Sequence, residues 1–144
     1  MTVLLDSSAL AKLYLDEPEK AAVRDRIARS GAAAVASIAY PETRAALAAA
    51  QRQRRIDARQ LAQARLALDQ DWTIFDEIPV TARLCREAGM LAEVFALRGY
   101  DSVQLASYVH LVRDAEADEV TLCSFDNELN RAASRWLRRF RRGH

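Results

Sequence analysis

The stretch TVLLDSSALAKLYL near the amino terminus constrains the fold more than any other part of the chain. Val3, Leu4 and Leu5 form an unbroken apolar run, the mark of a strand buried on both faces. Asp6 ends that run, and Ala9, Leu10, Leu13 and Tyr14 follow at helical spacing. A strand that passes straight into a helix starts an alternating chain, and such chains build parallel sheets with helices on both faces. The same reading puts the Asp6 carboxylate at the carboxyl edge of a buried strand, which calls for a chemical reason.

The alternation continues to the other end. After the first short helix, Pro18 marks a break or a new helix start, and Lys20 to Arg29 read as a surface helix. AAAVAS contains a second strand, Ser37 is placed to cap a helix through ETRAALAAAQRQ, and Asp57 is placed to cap the next. WTIF reads as a third strand. Val80 to Leu97 read as a long amphipathic helix closed by Gly99, and DSVQLASYVHLV as a buried helix. EVTLCSF has the strongest strand character, Asp126 opens a further helix, and WLRRF reads as an edge strand. The expectation is one α/β domain over residues 1–144, with a parallel sheet of about five strands between helices and a basic tail from about residue 138.

Composition narrows the classes of function. An apolar share of 51% with four glycines and three prolines excludes a disordered or collagen-like chain. No apolar stretch approaches the roughly 18 residues of a membrane span, and Asp6 interrupts the only signal-like segment. Cys85 and Cys123 lie in apolar periodic segments without metal-type spacing, so core thiols in a reducing cytoplasm are expected. The net charge of +1 hides an asymmetry: six of the 21 basic residues lie from Arg131 onward, with no acid among them. Such a run is either a solvated face or a phosphate-binding patch.

Four acids fall on one edge of the expected sheet. Asp6 ends the first strand, Glu42 lies in the first turns of the helix after the second, Asp101 starts the buried helix, and Asp126 follows EVTLCSF. Singly, Asp6, Asp101 and Asp126 read as helix caps and Glu42 as a favourable dipole partner. Together, converging carboxylates repel one another unless a cation joins them, and oxygen-only ligation suits Mg²⁺ or Mn²⁺. Asp6 thus reads as the first ligand of a metal site. With His110 in an apolar helix, His144 terminal and no nucleotide-binding glycine pattern, metal-assisted attack of water on a phosphodiester is the chemistry left well supplied.

Four blocks in chain order, LLDSSALAKLYLDEPE, ASIAYPETRAAL, GYDSVQLASY and CSFDNELNRAA, resemble the PIN-domain nucleases, and among them the VapC-type toxins of toxin–antitoxin pairs. The resemblance implies a parallel five-stranded sheet between helices and RNA cleavage with Mg²⁺ or Mn²⁺ held by Asp6, Glu42, Asp101 and Asp126. It further implies that Ser8 and Ser124 orient ligands or waters, that a VapB-like antitoxin binds the chain, and that it forms a homodimer. Two departures stand out: Pro41 directly precedes Glu42, and Ser102 and Gln104 replace the family's usual Ala and His.

Two rivals differ in class. A phosphoacceptor domain also places an aspartate after its first strand, but it needs an adjacent acid and a late lysine. Here DSSA has no adjacent acid, and the only lysines are Lys12 and Lys20. A non-catalytic RNA-binding or scaffolding domain on the same fold would rely on Arg52, Arg54, Arg55 and Arg59 with the tail. The expected function is a metal-dependent endoribonuclease, with Arg138, Arg139, Arg141 and Arg142 as candidate RNA contacts.

Overall fold

The computed structural model describes residues 1–143. The chain runs through β1 (Thr2–Leu5), α1 (Ser7–Lys12), α2 (Lys20–Arg29), β2 (Ala32–Ala36), α3 (Ala39–Arg52), α4 (Ala58–Trp72), β3 (Asp76–Ile78), α5 (Ala82–Phe95), α6 (Gly99–Asp114), β4 (Val120–Cys123) and α7 (Asn127–Arg142). The four strands are parallel and ordered β3-β2-β1-β4. Leu5 is in register with Val35 on one side and Cys123 on the other, so Asp6 and Ser124 leave the sheet at the same level. The chain adds β2 and β3 on one side of β1 and then β4 on the other. The order therefore reverses between β1 and β4, where open parallel sheets bind ligands.

Side-chain alternation along β1 sorts the core into two layers. Leu4 packs with Ala34, Ile78, Leu105, Val109, Leu129 and Trp136 under α5, α6 and α7. Val3 and Leu5 pack with Val35, Leu10, Val23 and Leu68 on the opposite face. The double coverage explains why strand one is apolar without alternation. No helix of the described residues is long and apolar enough to cross a membrane.

Several elements differ from expectation, each for a visible reason. Among the described residues the sheet has four strands rather than five, because WLRRF lies inside α7. Leu129, Ala132, Ala133 and Trp136 form a buried stripe at helical spacing, and Phe140 stacks on Trp136 with ring centroids 5.0 Å apart. The third strand is Asp76–Ile78, not WTIF: Trp72 ends α4, and Ile74 and Phe75 both donate backbone N–H bonds to the Asp71 carbonyl. A short, charged strand suits the sheet edge that β3 occupies.

α5 is shorter at both ends than Val80 to Leu97. Thr81 caps its start, its hydroxyl accepting from Leu84 N at 3.1 Å. Ala96, with φ 53° and ψ 48°, ends it in the left-handed conformation usually given to glycine. Gly99 instead begins α6. Ser37 caps nothing; its hydroxyl donates to Glu77 Oε1 at 2.7 Å. Asp57 does cap α4, in a reciprocal capping box with Gln60. Cys123 is buried as expected, but Cys85 is exposed.

Candidate active site

The switch point is tied together around Asp6. Its side chain is the N-cap of α1, Oδ1 accepting from Ala9 N at 2.9 Å and from the Ser8 hydroxyl at 2.7 Å. Oδ2 accepts from the Ser124 hydroxyl. Ser8 Oγ in turn accepts from Phe125 N at 2.9 Å, and Ser124 Oγ from Asp126 N at 3.0 Å. The two serines thus fasten the end of β1 to the loop after β4. Asp6 is 4% exposed. Burial raises its pKa above the ordinary carboxylate value, the serine and backbone bonds oppose that shift, and the nearby Asp126 charge adds to it.

Glu42 approaches from the first turn of α3, where Pro41 is harmless because its missing N–H has no helical partner. Gln104 Nε2 lies 3.4 Å from Glu42 Oε1, a long contact from the buried face of α6. Burial raises the Glu42 pKa; hydrogen bonds from Gln104 and Ser7 lower it, and the Asp101 and Asp6 charges raise it. Gln104 Oε1 and Thr43 Oγ1 are buried without a hydrogen-bond partner.

Asp101 is the third residue of α6 rather than its cap. Asp126 caps α7, Oδ1 accepting from Glu128 N at 2.9 Å and Leu129 N at 3.2 Å. Capping uses Oδ1 and leaves Oδ2 to face outward. Arg98 spans these two acids, with Nε 2.9 Å from Asp101 Oδ2 and Nη2 3.8 Å from Asp126 Oδ2. Capping and site formation are therefore not rival readings for Asp6 and Asp126.

The four acids thus share one edge. Asp6 feels Asp126, and Glu42 feels both Asp101 and Asp6. The arginines from residue 138 do not join them. Arg138 lies about 18 Å along α7 from Asp126, at 1.5 Å per residue. Arg139 sits over the Phe95 ring at 5.3 Å, and Arg141 pairs with Asp118. His110 is exposed on the outside of α6, 3.3 Å from Asp114. His144 lies outside the described residues. Lys12, the lysine nearest Asp6 in sequence, pairs with Glu17 and Glu19.

Residues 3–135 match the PIN domain family model. The chain belongs to the PIN domain family. It is 38% identical over 105 residues to Ribonuclease VapC45 of Mycobacterium tuberculosis, covering 73% of each chain. Its fold is similar to that of PAE2754 from Pyrobaculum aerophilum, with a TM-score of 0.63, 23% identity, and coverage of 98% and 90% of the two chains. It is also similar to VapBC2 from Rickettsia felis, solved with a DNA fragment from their promoter, with a TM-score of 0.62, 14% identity, and coverage of 91% and 92%.

The donors of this PIN domain fit a hard divalent cation by type: four carboxylates, no sulfur and no imidazole. They also fit by electrostatics: burial raises the pKa of both Asp6 and Glu42, Asp126 adds to the rise at Asp6, Asp101 and Asp6 add to it at Glu42, and neither acid has a cationic partner among the described residues. As they stand, no three acidic, histidine or cysteine side chains among the described residues converge on one point. Sequence reasoning missed Arg98, Ser7 and the Gln104–Glu42 contact. Only Arg98 carried a signal, its spacing of three residues before Asp101 on a helix start.

Proposed function

We propose that this PIN domain is an endoribonuclease, the toxin of a toxin–antitoxin pair, and that it hydrolyses RNA with Mg²⁺ or Mn²⁺. The observation that carries the reading is Asp6: a buried, hydrogen-bonded carboxylate at the switch point, with three further acids on the same edge. The 38% identity to a protein named a ribonuclease supports RNA as the substrate. A bound divalent cation supplies a water of lowered pKa and offsets charge on the phosphate. Asp6, Asp101 and Asp126 would hold it, with Glu42 close enough to assist from α3. Ser8 and Ser124 keep Asp6 in one orientation by bonding both of its oxygens.

Water is the nucleophile in this scheme, so products carry a 5′-phosphate and a 3′-hydroxyl. Incubation of RNA with Mg²⁺ or Mn²⁺ is expected to give such ends, and EDTA to stop cleavage. Ends bearing 2′,3′-cyclic phosphate would sink the scheme, because the ribose hydroxyl would then be the attacking group. Binding of RNA that persists without cleavage under every metal condition would return the domain to a scaffolding role.

RNA leaves the site along α7. A shallow hollow lined by Asn127, Asn130, Arg131, Ser134, Arg135 and Arg138 begins beside Asp126 and contains no acid. Arg131 and Arg138 are exposed there and make no ion pair among the described residues. In EDTA, replacing both with Ser is expected to flatten the slope of log affinity against log salt by about 1.4, at ~0.7 per phosphate contact. Replacing Arg139 and Arg141, which are held by Phe95 and Asp118, should leave the slope near the parent value. The reverse pattern would move the RNA to the outer end of α7.

The partners follow from the family resemblance. An antitoxin segment carrying an arginine satisfies several carboxylates at once. Co-expression with the adjacent reading frame, followed by mass measurement of the pulled-down complex and of the chain alone, tests both the antitoxin and the homodimer.

A further inference from the structure

Arg98 occupies the N-cap position of α6 with extended backbone, yet its side chain caps nothing. The guanidinium instead joins two acids from different helices, Asp101 at 2.9 Å and Asp126 at 3.8 Å. No other ion pair among the described residues involves any of the four acids. Lys12, the nearby alternative, is held by Glu17 and Glu19. The Arg98 side chain is 71% exposed, whereas those of Asp101 and Asp126 are 15% and 25% exposed. A cation on the solvent side thus covers two of the donors, and the acids do not yet converge on one point.

We propose that Arg98 is the resident counter-ion of the carboxylate cluster, and that it must release Asp101 and Asp126 before a divalent cation can share them. The proposal rests on the metal-dependent reading of the same site. An exposed guanidinium is suited to this part. Its pairs with carboxylates are weak enough in water to exchange, and its charge persists at every pH at which the acids are ionised. A divalent ion brings twice the charge and can reach Asp6 and Glu42 as well, which the Arg98 fork does not touch. Arg98 acts through the acids and is a positioning residue.

Titration of the metal-free chain with Mn²⁺, followed by the paramagnetic signal of free Mn²⁺, tests this without any cleavage. Arg98→Gln is expected to tighten Mn²⁺ binding about two- to fivefold at low salt, the scale on which exposed charge pairs act. The gain should shrink in high salt as screening weakens the competing pair. A merely structural role predicts the opposite sign, since a disturbed loop would bind Mn²⁺ less tightly. Equal or weaker binding by a folded Arg98→Gln chain overturns the proposal. Arg98→Lys keeps the charge but cannot span both acids, and it should fall between the two. If Arg98→Gln does not fold, Arg98→Lys binding no tighter than the parent overturns the proposal as well. Failure of the parent chain itself to bind Mn²⁺, with Asp6→Asn making no difference, overturns the metal-dependent reading instead.

Discussion

Asp6→Asn is expected to abolish RNA cleavage while raising the melting temperature of the metal-free protein at neutral pH. Both effects have one cause. Asn caps a helix about as well as Asp, so the bond to Ala9 N survives, and the serine hydroxyls can rotate to suit the amide. What disappears is a buried negative charge whose pKa burial and Asp126 hold up. The charge costs stability in the metal-free chain and holds the cation in the working one. Cleavage should fall at least about a hundredfold, the scale on which one lost electrostatic contact acts in an active site. Added Mg²⁺ should raise the melting temperature of the parent chain and leave that of Asp6→Asn nearly unchanged.

Asp101→Asn makes the instructive contrast. Its cleavage should fall as far, but its metal-free melting temperature should move little, because Arg98 already neutralises Asp101. Thermal melts in EDTA and in Mg²⁺, run beside a cleavage assay on all three proteins, separate these outcomes. If Asp6→Asn melts with the parent and still cuts RNA, Asp6 is a helix cap and nothing more.

Much of this arrangement is legible in the sequence, because it depends on local pattern. A three-residue apolar run ending in Asp6 already implied a buried parallel strand, and the register of β1 with β2 and β4 places its end at the switch point. Asp57 and Asp126 were readable as caps from position alone. The failures are those where tertiary contacts overrule local character. WLRRF has strand-like residues, but Trp136 belongs to a helical stripe that starts at Leu129. Gly99 reads as a helix end, while the left-handed residue is Ala96, which no propensity would select. Cys85 sits in an apolar segment but on its outer side. Arg98 was invisible for a different reason. Its second partner is 28 positions away, and only the packing of α6 against α7 brings Asp126 into reach.

The same cluster sets the pH dependence of stability. Asp6 and Glu42 both have folded pKa values above the ordinary carboxylate range of about 4. Between their unfolded and folded values the native state binds more protons than the unfolded chain, so stability falls as pH rises. Their favourable contribution is complete below about pH 4 and is lost as pH passes through the raised values. Glu17 works in the opposite sense, because Lys12 lowers its pKa; its contribution is present above the ordinary range and fades in more acidic solution. In EDTA the melting temperature should therefore be higher in mildly acidic buffer than at pH 8. A divalent ion reverses the trend, because it binds the ionised acids. At a hundred times its Kd, Mg²⁺ should add about 2.7 kcal/mol at pH 8, a rise of several degrees, and much less in mildly acidic buffer. The two melting curves should thus converge as the pH falls. A metal-free profile that is flat from mildly acidic buffer to pH 8, with no Mg²⁺ shift at the alkaline end, would mean that these carboxylates neither repel one another nor share an ion.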